Sequence, residues 1–199
     1  MKIKVYYILF LLVIGVSCQD DDAKRETARL KNLEKREKVF ETINKNWSFS
    51  ERQMNGETQT WLSNWSEWRN FLTEIKQKPK SSIGAFKKKS KTLSKKVRDL
   101  NNNIPIKFAN PQVKSRIAIL TTQINSLDLY MNLDNVPAEK VVVLIPEINT
   151  ALASLQLQFE EIVRKDKIPM EQGESDMIRM LDTTRAIPSS PINKTLPRN

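Results

Sequence analysis

The sequence predicts an all-α protein: an antiparallel bundle of four to five long helices with a flexible C-terminal tail. Three observations carry this expectation. Apolar residues recur at steps of three and four over long stretches, a spacing that collects them on one helix face. Glycine is scarce, with only Gly56, Gly84 and Gly173 beyond the first eighteen residues, and sheets usually need more turn glycine than that. Pro, Asn and Ser separate the apolar stretches, while period-two alternation is absent, which argues against strands.

The first helix is expected from about Ala23 to Lys45. It is rich in Lys, Arg and Glu, with a thin stripe of Leu30, Leu33, Phe40, Ile43 and then Trp47. Ser48-Phe49-Ser50 breaks it and leaves Trp47 in a loop, free to be exposed. The second is expected as one continuous helix from Glu57 to Lys78, stopped by Pro79. Trp61, Trp65, Trp68, Leu72 and Ile75 would share its inner face, and its 22 residues would span ~33 Å.

The third runs from Ile83 to about Asn102, with Ser82 as N-cap. Its stripe is Ile83, Phe86, Leu93, Val97 and Leu100, with Ser90 filling one step. The fourth opens with Asn110-Pro111, an N-cap followed by Pro at the first helical position. Val113, Ile117, Leu120, Ile124, Leu127 and Met131 continue it. The fifth begins near Pro137 and carries Val141, Ile145, Ile148, Leu152, Leu155, Phe159 and Ile162. Pro146 inside it has no N–H to donate and crowds the Val142 carbonyl, so a kink is expected there. Asp166 to Asn199 loses the pattern and contains Pro169, Pro188, Pro191 and Pro197; a short helix near Ser175–Leu181 fits within this tail.

The N-terminus has its own organisation. Lys2 and Lys4 precede an apolar run from Val5 to Val16, followed by Ser17 and Cys18, the only cysteine. A basic start and a short apolar core describe a secretory signal, and the run falls short of the ~20 apolar residues that span a bilayer. No later segment reads as long and apolar enough to span. Ser17-Cys18 resembles the end of a bacterial lipoprotein signal, with a small residue before the cysteine; Gly15 stands where Leu is usual, with Ile14 one place earlier. The resemblance implies cleavage before Cys18 and acylation of its thiol and new amino group. Gln19-Asp20-Asp21-Asp22 resembles the acidic tag of surface-exposed lipoproteins of Bacteroidota; the same four residues also read as a solvated linker. The expected location is the outer membrane or cell surface, with a periplasm-facing anchor as the alternative. The expected division is residues 1–17 as signal, 18–22 as acylated cysteine and acidic linker, 23–165 as bundle and 166–199 as tail.

Composition narrows the chemistry. The chain has no histidine, so Ser-His-Asp and Cys-His machinery is excluded, as is the carboxylate-plus-histidine pattern of di-iron bundles. With Cys18 acylated, no thiol remains for zinc or redox chemistry. Glu160 and Glu161 are followed one turn later by Arg164 and Lys165, an ordinary surface ion-pair pattern. No acids are set at glycosidase spacing. The expectation is a non-enzyme without a cofactor or a bound metal.

Charge is the strongest surface feature. Lys76, Lys78, Lys80, Lys87, Lys88, Lys89, Lys91, Lys95, Lys96 and Arg98 place ten cations between residues 76 and 98, with no acid among them. The chain's net charge is +10, and removing Lys2 and Lys4 leaves +8, so this one corner exceeds the net excess. On the third helix these lysines would share a solvent face off the apolar stripe. Such a face attracts polyanions. Phe86 is its only aromatic, so base-stacking platforms are missing and sequence-specific nucleic-acid reading is not expected. Trp61, Trp65 and Trp68 read either as core or as a platform for sugar rings beside Ser63, Asn64 and Glu67.

Together these features predict a lipid-anchored helical binding or scaffold protein of the cell envelope. Its membrane contact is the acyl chain, and its lysine-rich face meets an acidic partner: lipid phosphate, acidic glycan or acidic protein. The alternative is a protein-interaction module of another kind, an immunity-type inhibitor, chaperone or envelope-machine subunit, acting through the Pro146 helix, a Trp groove or the tail.

Overall fold

The structure, a computed structural model, describes residues 19–169, with side chains from Asp22 onward. The expected signal segment, Cys18 and the helix expected near Ser175–Leu181 lie outside the described residues, as do the side chains of Gln19, Asp20 and Asp21. The elements in order are α1 (Gln19–Asn46), α2 (Gly56–Leu62), α3 (Ser66–Lys76), α4 (Ile83–Asp99), a 3-10 turn (Ile106–Phe108), α5 (Pro111–Asn132) and α6 (Ala138–Lys165). No strand occurs among the described residues. The chain is an all-α bundle.

The last three helices form where the apolar spacing places them. Ser82 Oγ accepts from the Ala85 N–H at 3.3 Å and caps α4. Asn110 Oδ1 accepts from the Val113 N–H at 2.9 Å, and Pro111 opens α5. All six apolar stripe residues of α5 are fully buried, each contributing ~1.5–3 kcal/mol relative to exposure. Short connections make α4, α5 and α6 antiparallel neighbours, with α3 against α4 and both α1 and α2 against α6. α6 continues unbroken through Pro146. By length and composition it is apolar enough to cross a membrane, contrary to the sequence expectation. Its stripe from Val141 to Phe159 is instead buried within the bundle.

The seam between α4 and α5 is partly polar. Ser90, the missing apolar step, is fully buried, and its hydroxyl donates to Asp128 at 2.9 Å. Ser94 donates to Asn125 Oδ1 at 2.7 Å one turn on. Both serine hydroxyls thus keep a partner, and the pairs fix the register of the two helices.

Two aromatic clusters fill the ends of the core. Phe159 meets Trp65 at 6.0 Å, Trp68 at 5.3 Å and Phe108 at 5.0 Å between ring centroids. Near the start of α4, Phe86 meets Trp47 at 4.9 Å and Phe40 at 5.9 Å, edge to face, a favoured arrangement of ring quadrupoles.

Trp47 is 2% exposed, which corrects the expectation of a loop tryptophan free to face solvent. It is held because the segment after it is strapped along α6. Asn149 accepts from the Ser50 N–H at 3.0 Å and donates to the Ser48 carbonyl at 3.1 Å. Gln156, fully buried, accepts from the Arg52 N–H and donates to its carbonyl, both at 3.1 Å. Glu160 accepts from the Asn55 N–H at 2.8 Å and from the Arg52 guanidinium at 2.5 Å. Positions 149, 156 and 160 share one helix face, so three side chains do for this segment what a neighbouring strand would. The expected pairing of Glu160 with the helix end is corrected accordingly. Glu161 does pair with Lys165 at 2.8 Å, and this holds the Glu161 carboxyl below its usual pKa.

The continuous second helix is also corrected. It breaks at Ser63-Asn64-Trp65 into α2 and α3. Ser63 Oγ donates back to the Thr60 carbonyl at 2.7 Å, and Trp65 is extended, with φ −88° and ψ 94°. Ser and Asn favour such local bonding over helix continuation. The break re-phases the chain: Leu62 and Phe71 turn inward, and Trp61 turns out to 47% exposure.

α1 divides in two. Val39 to Trp47 pack on the bundle, whereas every residue from Asp22 to Lys38 is exposed, Leu30 and Leu33 included. Its helix begins at Gln19, inside the stretch expected as linker. Within the exposed half, Glu34 and Lys38 pair at 2.6 Å, which lowers the pKa of the acid and raises that of the amine.

Candidate functional site

The exposed half of α1, residues 22–38, projects as a stalk from a definable end of the bundle. Lys87, in the second turn of α4, donates to the Leu133 carbonyl just past α5 at 3.1 Å. Phe40 meets Phe86 at this level, and the chain then climbs α6 from Asn149 to Glu160. Residues before Val39 therefore extend beyond the end that carries the α3–α4 and α5–α6 connections.

The ten sequence-selected cations do not form one uniform face. Lys89 is 9% exposed and donates to Glu74 at 2.7 Å, with Gln77 at 3.5 Å; it is a partly buried ion pair between α3 and α4. Lys76 pairs with Glu51. Lys87 is half-buried on the Leu133 carbonyl, and Lys96 is half-buried. Of these, Lys89 is corrected from the expected shared solvent face: it is buried against Glu74.

The others converge. Lys88, Lys91, Lys95 and Arg98 are exposed and spaced three, four and three along α4, a single stripe opposite Phe86, Leu93 and Val97. It is ~15 Å long at 1.5 Å per residue. Arg98 Nε donates to the Ser94 carbonyl at 3.0 Å, fixing the side chain along the helix. Lys78 and Lys80, both exposed, extend the charge toward the stalk end. Among the described residues, no carboxylate pairs with Lys78, Lys80, Lys88, Lys91, Lys95 or Arg98. A shallow groove of about 270 Å³ runs beside the stripe between Lys78, Lys88 and Lys89.

The tryptophan platform does not assemble. Trp65 and Trp68 are buried, and the Trp65 indole N–H donates to the Asn102 carbonyl at 3.2 Å. Trp61 stands alone with the Lys107 ammonium 4.3 Å over its ring. Glu67 turns to the next loop, accepting from the Asn103 amide at 2.8 Å. Asn103 sits at φ 53°, a conformation Asn tolerates. That bond, with those from its own backbone N–H and the Ser66 hydroxyl, lowers the Glu67 pKa.

A second feature escaped sequence reading: a groove between α5 and α6. Its inner part, about 400 Å³, is lined by Ile119, Gln123, Pro146, Glu147 and Ala151. Its outer part, about 800 Å³, runs past Leu157 and Arg164 to Lys167. Arg116 and Ser154 line both parts, and Arg116 Nε donates to Ser154 Oγ at 3.2 Å. Pro146 was legible only as a kink, and Arg116 was not legible at all, because nothing local marks an arginine that faces a groove. Among the described residues no cluster of acids is placed to hold a metal ion.

Compared with known proteins, the chain matches no family model, no curated protein and no solved structure.

Proposed function

We propose that the chain is a lipid-anchored binding protein of the cell envelope, in which α1 is a spacer and the α4 cation stripe engages an acidic envelope component. The observation that carries this reading is the unpaired line Lys88, Lys91, Lys95 and Arg98, opposite the core and extended by Lys78 and Lys80. Cations that are exposed, unpaired and regularly spaced attract polyanions and speed encounter with them.

The stalk narrows the partner. An interfacial helix needs a broad apolar face, and residues 22–38 offer only Leu30 and Leu33 among alternating charges. Such a helix stands off the bilayer instead of lying in it. From Gln19 to Lys38 it measures ~30 Å, several times the screening length of ~8 Å at physiological salt. The stripe is then out of range of the leaflet that holds Cys18, and acidic glycan or acidic protein at that height fits better than the anchoring lipid. The Asp20–Asp22 tag supports the outer surface as its location.

The test uses the mature chain with Cys18→Ser on an immobilised sulfated polysaccharide. Retention that disappears in Lys88→Glu/Lys91→Glu/Lys95→Glu supports the stripe; equal retention of both proteins contradicts it. For the anchor, mass spectrometry of the native N-terminal peptide should find acylated Cys18. An unmodified start removes the anchor from the account. A protein-interaction module is the second reading, and the α5–α6 groove supports it.

A further inference from the structure

We propose that the chain's own segment Glu174–Leu181 docks in the α5–α6 groove, extended and antiparallel to α6, with Asp176 on Arg116 and Arg179 on Glu147. The groove leads to where the described chain ends, since Lys167 lines its outer part. From Pro169, the residues up to Asp176 reach ~23 Å at up to 3.3 Å each. Lys165 to Ser154 along α6 is ~17 Å at 1.5 Å per residue, so Asp176 reaches the level of Arg116.

Charge then sets the register. Arg116 is half-buried, is held by Ser154 and has no carboxylate partner among the described residues. Glu147 has no cation partner there either, while the outer acids Glu57, Glu160 and Glu161 are taken by Lys167, Arg52 and Lys165. Ser154 and Glu147 are seven residues apart on α6, ~10.5 Å; Asp176 and Arg179 are three apart in an extended chain, ~10 Å. Their odd spacing points the two side chains to opposite walls, one toward α5 and one toward α6. Ile178, Met180 and Leu181 supply apolar surface for half-exposed Ile119 and for Pro146.

The test is amide line broadening in the full mature chain, with Cys18→Ser and a nitroxide at Met180→Cys. Broadening should appear at Ile119, Gln123 and Thr150, persist on tenfold dilution, and weaken at least threefold in Ile178→Asp. Arg116→Glu should weaken it too, and adding Asp176→Arg should restore it. Since Ile178 lies outside the described residues and contributes to none of the core contacts described above, its variant reads docking. Broadening at Lys88, Lys91 and Lys95 instead would mean that the tail follows charge to the stripe. Loss on dilution would mean that a second copy fills the groove. Either result, or no broadening at all, overturns the proposal.

Discussion

α1 and α6 are both 28 residues long, yet they are helices for different reasons. α6 buries a residue in nearly every turn from Val141 to Val163. α1 buries nothing across its first half and reaches the core only from Val39. Packing stabilises α6, and most helical stability in proteins arises that way. The outer half of α1 depends on propensity and on pairs such as Glu34–Lys38 and Glu26–Arg29, each of the kind that adds only a few tenths of a kcal/mol in isolated helices. A helix held by its own sequence suits a spacer, whereas a helix held by its neighbours suits a core.

The contrast predicts a graded set of effects. Phe159→Ala empties the site where Trp65, Trp68 and Phe108 converge and should cost about 3–5 kcal/mol in urea unfolding. Gln156→Ala leaves the Arg52 N–H and carbonyl without their partner. It should cost about 1–3 kcal/mol and also raise the exposure of Trp47, read as a red shift in fluorescence.

Glu67→Gln should cost less than about 1 kcal/mol at neutral pH, because the group is near the surface. Its main effect is on acid sensitivity. The folded pKa of Glu67 lies below its unfolded value, near 4.3, because it accepts from the Asn103 amide, its own N–H and Ser66. Its contribution is therefore present above the unfolded pKa and is lost as pH falls through the lower folded one. Below about pH 4 the variant should lose stability less steeply than the parent, as measured by acid titration of circular dichroism. Leu30→Pro should change bundle stability by no more than about 0.5 kcal/mol while reducing total helical signal. A cooperative loss of bundle stability would show that the stalk and the core are one unit.

How far the sequence could be read follows the same division. α4, α5 and α6 were legible because cap, stripe and stop agree: Ser82 and Asn110-Pro111 begin helices where spacing demands them. The break between α2 and α3 was not, because the steps of Trp61, Trp65 and Trp68 run across it undisturbed. Only tertiary packing chooses Phe71 over Trp61 for the core. Burial of Trp47 depends on Asn149, Gln156 and Glu160, about a hundred residues away in sequence, and no local pattern announces such a strap. The basic corner was legible as charge but not as geometry. Lys88 and Lys89 are adjacent in sequence, yet one lies on the stripe and the other is buried against Glu74. The absence of an acid in the window said nothing about acids arriving from outside it, from Glu74 close by and from Glu51 farther back in the chain.

α1 and α4 both carry many cations, but in the stalk Glu26, Glu34 and Glu37 are interleaved with them, and on the stripe nothing is. The most direct measurement is the salt dependence of binding to a sulfated polysaccharide for three proteins. These are the mature chain with Cys18→Ser, the same chain with Lys88, Lys91 and Lys95 changed to Gln, and the same chain with Lys31, Lys35 and Arg36 changed to Gln. The stripe variant should lose about one unit of log–log salt slope per lysine removed, and the stalk variant should match the parent. Equal losses in both variants, or a larger loss in the stalk variant, would contradict the account.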